Sequence, residues 1–247
     1  PNILQNLFGE GALSAAFVPE YSRLADTDPG RAGKLAGGVA SFLLCLVAFL
    51  TAIGFLAAEP ITRAVAWGFT GDRFDLTVRL VRVILLGAGV LVMSAWCLAL
   101  LNSHKRFFLG YAAPVIWNLA QISVLITIAV SEIRDASSAE MLAWALVVGS
   151  VLQVLIQVPS VLRENPQIRM TLFWKDHSTL LVLKRFVPAV LGRGALQFSS
   201  FIDLALASLL SLGAASSLAA AQTLYLLPVA LIAVSYTHLT LPTILRV

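Results

Sequence analysis

PNILQNLFGEGALSAAFVPEY, residues 1–21, reads as an apolar helix that nevertheless carries an acid, Glu10. Asn2, Gln5, Asn6, Glu10 and Ser14 recur at i, i+3, i+4, i+8 and i+12, so a helix gathers them into one polar stripe on an apolar rod. A carboxylate at the centre of a spanning helix costs about 2.5–3.5 kcal/mol even on a lenient insertion scale. A stripe of this kind is expected to face a protein interior or a water-filled path, and not lipid.

The rest of the chain agrees with a membrane setting. Of 247 residues, 59% are hydrophobic and only 12% charged, and the mean hydropathy is +0.88; a soluble domain would be about a quarter charged. About 20 apolar residues cross the hydrocarbon. Leu35–Ala58, Val83–Ser103, Phe107–Ser131 and Met141–Leu162 meet that length without a charge, and Phe186–Leu212 meets it with Arg193 and Asp203 inside. Ser216–Val234 follows, and with Pro1–Leu24 the expectation is an all-α polytopic bundle of about seven helices. Its first residue is not Met, and the first and last spans read as cut short.

Ten Lys and Arg lie in the loops at 22–34, 104–106 and 163–185, against three (Arg63, Arg73, Arg134) in the alternate loops. The positive-inside rule places the first set in the cytoplasm, so the first span runs outside to inside. The same distribution accounts for the net charge of +4 without nucleic acid. Arg163–Arg185 is expected to be a basic connector, with an amphipathic surface helix as the alternative.

Several polar groups fall inside the spans. Arg193, Gln197 and Ser200 share a face, whereas Asp203 lies about 15 Å along and roughly 80° around from Arg193, so the two cannot pair on one helix. Arg79 and Arg82 are placed to snorkel to the outer interface. Asn118 with Gln121, and Gln153 with Gln157, suit interhelical hydrogen bonds, and Gly33 with Gly37 suits close helix packing. Cys45 and Cys97 read as packing thiols. The three histidines lack metal-ligand spacing, and neither a catalytic motif nor a cofactor-binding motif is present. The acids Asp26, Asp28, Asp72 and Asp75 are spaced too commonly to mark a membrane transferase.

The segment NLFGEGALSAAFVPEY resembles the second helix of the MurJ/MviN family of lipid II flippases. Leu101-Asn102 through Arg106-Phe107, Ala113-Pro114, Asn118, Trp144–Pro159, Pro188–Gly192, Gln197 and Asp203 match in order. The resemblance implies about fourteen helices in two pseudo-symmetric halves around a cationic cavity, of which this chain resembles the second helix through part of the eighth. It implies a membrane transporter and not an enzyme. The expected cargo is lipid II, a polyprenyl-pyrophosphate-linked sugar, flipped across the bacterial cytoplasmic membrane by alternating access without a cofactor. The substrate cavity is expected at Glu10, Gln5, Asn6, Arg193, Gln197, Asp203 and Thr223. Glu10 matches the family's acid. Gln5 and Asn6 stand where many members have two arginines, and Thr223 and Leu226 where many have arginine and glutamate; Arg193 is additional and restores a positive group. The alternatives are export of another polyprenyl-linked oligosaccharide or a drug, or a non-transporting membrane scaffold. The bundle is expected to occupy 1–234. Residues 235–247 resemble translated adapter sequence and are expected to be a non-native tail.

Overall fold

A computed structural model of the chain describes residues 10–132, 135–170, 177–210, 213–225 and 228, with the side chains of 10, 11, 193 and 195–198 outside the description. The described residues form helices α1 (Glu10–Thr27), α2 (Pro29–Leu56), α3 (Ala58–Val65), α4 (Gly71–Ser103), α5 (Phe107–Val130), α6 (Ala136–Glu164) and α7 (His177–Ser208), with a further helical stretch at 214–225. Four of them, α2, α4, α5 and α6, are long and apolar enough to cross a membrane.

Local sequence explains where these helices start. Asp28 caps α2 by accepting the Arg31 N–H at 3.0 Å, and Pro29 follows at a position that needs no amide proton. Asp135 caps α6 in the same way through Ser137. The helix α4 begins twelve residues before the expected span at Val83. Its first turns carry Arg73, Arg79 and Arg82, so hydropathy alone understated its length.

The chain divides into two compact units: Pro1–Thr62 with Thr70–Ser199, and Arg63–Phe69 with Ser200–Val247. In the first, α4 packs against α1, α2, α5 and α6. The core joins Leu13, Phe17 and Tyr21 of α1 to Leu35, Val39 and Leu43 of α2, to Val92, Trp96 and Leu100 of α4, and to Val182 and Phe186 of α7. Small residues set the crossings: a Cβ on Gly87 would meet the Val147 Cα at 3.2 Å, and one on Gly149 the Trp117 carbonyl oxygen at 3.1 Å. The helix α5 fully buries only Gly110 and Ala113, packs a half-buried face that includes Trp117 and Ala120 against α6, and leaves its other face exposed. In the second unit, Gly68 donates its N–H to Ser208 Oγ at 3.1 Å.

Two expectations change. Gly33 and Gly37 do not receive a helix; they receive the non-helical connector after α6. A Cβ on Gly33 would meet the Gln167 carbonyl oxygen at 2.7 Å, and one on Gly37 would meet that of Arg169 at 1.8 Å. Cys97 is buried as expected, but Cys45 is exposed on the outer surface of α2, so it is not a packing thiol.

Candidate functional site

Of the seven expected cavity residues, only Asp203 and Thr223 have described side chains. Gln5, Asn6 and the Glu10 side chain lie outside the description; the Glu10 backbone opens α1. Arg193 and Gln197 ride on α7, their side chains outside the description. Asp203 is exposed on α7, and Thr223 is exposed in the 214–225 stretch, where its hydroxyl donates to the Ala219 carbonyl at 3.0 Å. The tail boundary at 234 lies outside the described residues.

The side chains that do converge form three polar layers. In the middle of the bundle, Gln153 Nε2 donates to Ser94 Oγ at 2.7 Å, and Ser94 Oγ donates onward to Gln157 Oε1 at 2.7 Å. All three residues are buried, so the amide pair of α6 grips α4, as the spacing suggested. Asn118 and Gln121 of α5 differ: Asn118 is exposed, and neither bonds a described residue across helices.

At one end the three basic loops meet. Asn165 Nδ2 donates to the Tyr21 hydroxyl at 3.3 Å, leaving the phenol proton for His104 Nε2 at 2.9 Å. That assignment puts the imidazole proton on Nδ1, which faces Glu164 Oε2 at 4.0 Å. Glu164 Oε1 accepts from Arg106 Nε at 2.8 Å, and buried Glu20 accepts from Arg23 at 2.6 Å. The helix spacing of the first 21 residues pointed to Glu10 and passed over Tyr21; its place on the stripe Leu13, Phe17, Tyr21 was the available signal.

At the opposite end Arg79 Nε pairs with Glu140 Oε1 at 2.9 Å. Arg82 Nε donates to the Phe55 carbonyl at 3.3 Å, and its guanidinium lies 5.6 Å from the Phe55 ring centre. Both arginines thus tie helices together and do not merely reach for the interface; Arg82 satisfies one of the orphan carbonyls at the end of α2. Below it runs an apolar groove of about 580 Å³ between α2 and α4, lined by Leu44, Thr51, Phe55, Leu86, Gly89 and Met93 among others.

These features define a class, the polytopic α-helical membrane proteins whose bundles are fixed by small residues and buried amides. The chain belongs to the family described as "Lipid II flippase MurJ", whose model matches residues 1–247. A Burkholderia cenocepacia protein named "Lipid II flippase MurJ" is 31% identical over 251 residues, covering 99% of this chain and 48% of the relative. The "Probable lipid II flippase MurJ" of Bdellovibrio bacteriovorus is 30% identical over 251 residues, covering 99% and 47%. A solved structure, "Lipid II flippase MurJ, inward closed conformation", aligns with a TM-score of 0.71 at 22% identity, over 92% of this chain and 46% of that one, a likeness of fold. The chain spans about half the length of the curated relatives it matches.

Proposed function

We propose that this chain takes part in moving lipid II across the bacterial cytoplasmic membrane by alternating access, as a transporter and not an enzyme. The observation that carries this reading is the match of the family model along residues 1–247. The apolar helices and the buried Gln153–Ser94–Gln157 tie support it by providing a rigid membrane-embedded wall. The cavity is proposed at Glu10, Gln5, Asn6, Arg193, Gln197, Asp203 and Thr223. A pyrophosphate needs positive charge that glutamine and threonine cannot supply, so Arg193 carries the electrostatic role.

The test uses the full-length gene in a bacterium depleted of its own lipid II flippase. Wild type restores growth and exposes lipid II on the outer face, Arg193→Lys retains much of this, and Arg193→Ala loses it at equal protein level. Failure of the wild type overturns the lipid II reading; full activity of Arg193→Ala overturns the role given to Arg193.

A further inference from the structure

Lys105 occupies a position where glycine would be easier. It follows the C-cap His104 of α4 with φ 58°, and the turn is a complete Schellman motif: Lys105 N–H donates to the Asn102 carbonyl at 3.0 Å and Arg106 N–H to the Leu101 carbonyl at 2.8 Å. A left-handed backbone costs a residue with a Cβ about 1–2 kcal/mol that glycine avoids. The ammonium makes no ion pair with a described residue, so the local fold gives no reason for a lysine.

A cavity beside it does. It measures about 740 Å³ at the basic end, between the ends of α4 and α6 and the start of α5, and is lined by Lys105, Arg106, Arg163, Glu164, Ser160 and Phe108 among others. Three cations face one carboxylate there, and that carboxylate is already engaged by Arg106. Arg163 has no partner among the described residues. The first turn of α5, which opens on the same cavity, has no side-chain cap. Below it an apolar stripe runs down the outer surface of α5 at helical spacing: Phe108, Tyr111, Val115 and Leu119 are 87%, 64%, 53% and 54% exposed. A cationic mouth continuous with an apolar track along a membrane-spanning helix matches a molecule with an anionic head and hydrocarbon tails.

We propose that this cavity binds an anionic phospholipid of the leaflet at the basic end, its phosphate between Lys105 and Arg163 and an acyl chain along the α5 stripe. The Lys and Arg distribution assigns that end to the cytoplasm, where anionic headgroups concentrate.

The experiment titrates the full-length protein in detergent with phosphatidylglycerol, with phosphatidylcholine and lipid II as separate arms, and reads bound lipid by native mass spectrometry. Each cation near the surface is worth about 1 kcal/mol, so Lys105→Gly weakens phosphatidylglycerol binding about fivefold and Lys105→Gly with Arg163→Gln about thirtyfold. Melting temperature after Lys105→Gly stays level or rises, because glycine suits the turn; Arg163→Gln alone gives the same fivefold loss without touching it. Removing two charges elsewhere at that end, Arg31→Gln with Lys34→Gln, leaves binding unchanged. Equal loss from that control, equal binding of phosphatidylcholine, or a loss confined to lipid II overturns the proposal.

Discussion

The clearest instruction at the scale of one residue is Gly37. Its missing side chain admits the Arg169 carbonyl oxygen to within 1.8 Å of where a Cβ would stand, and backbone cannot swing aside as a flexible side chain can. Gly37→Ala is expected to lower stability by about 1–3 kcal/mol, the usual range for overpacking, read as a lower thermal midpoint in detergent. Gly192→Ala is the matched control: no described atom lies within 4 Å of its Cβ, and alanine favours a helix over glycine by about 1 kcal/mol. A midpoint that falls equally in both would refute the steric account. The i, i+4 spacing of Gly33 and Gly37 advertised a close approach but not its partner. A helix and a non-helical connector ask the same of a glycine, and only the three-dimensional path of a connector some 130 residues away decides between them. Ser94 was hidden for a related reason. Serines in these helices commonly bond back to their own helix, as Ser103, Ser123 and Ser150 do, so nothing local marked the one that crosses to α6.

Among the elements, α6 shows a helix whose start is chemically switchable. The Ser137 hydroxyl donates to the Asp135 carboxylate, which also accepts the Ser137 N–H at 3.1 Å. The hydroxyl first, with backbone donors adding to it, holds this carboxyl below the usual carboxylate range. A folded value below the unfolded one means that the cap is fully effective above the unfolded pKa. Its contribution is lost as the pH falls through the lowered folded value. Amide protection across residues 136–139, taken relative to the intrinsic exchange rate at each pH, is therefore expected to fall in acid, and Asp135→Asn, which keeps the cap without titrating, should flatten that response. An unaltered pH profile in the variant would show that the acid sensitivity arises elsewhere. Helix existence was legible for α2, α4, α5 and α6, because twenty apolar residues leave few alternatives in lipid. Their ends were not, since charged first turns such as Gly71–Arg82 lower the hydropathy without breaking the helix.

For the whole molecule, the asymmetry of Lys and Arg correctly grouped three loops far apart in sequence, and the Tyr21–His104–Asn165 contacts join them at one end. Tyr21→Phe removes both hydrogen bonds yet leaves Asn165 its second acceptor, the Pro29 carbonyl at 3.4 Å. The expected cost is about 1 kcal/mol, with faster amide exchange confined to the loops at 28 and 104–106; slowed or unchanged exchange there would contradict a fastening role. The candidate cavity was far less legible. Helix spacing picked out Gln5, Asn6, Glu10, Arg193 and Gln197 as polar faces, but their assignment to one cavity, with Asp203 and Thr223, came from resemblance to a family; the residues that physically converge, Ser94, Gln153 and Gln157, serve cohesion. The connector seated on Gly33 and Gly37 has a practical meaning for anyone handling this protein. Loops between spans are where affinity handles and fluorescent domains are ordinarily inserted. Residues 165–170 are a poor choice, because cargo placed there would pry a carbonyl from its notch; the turn at 131–132, whose two residues are both exposed, is the better berth.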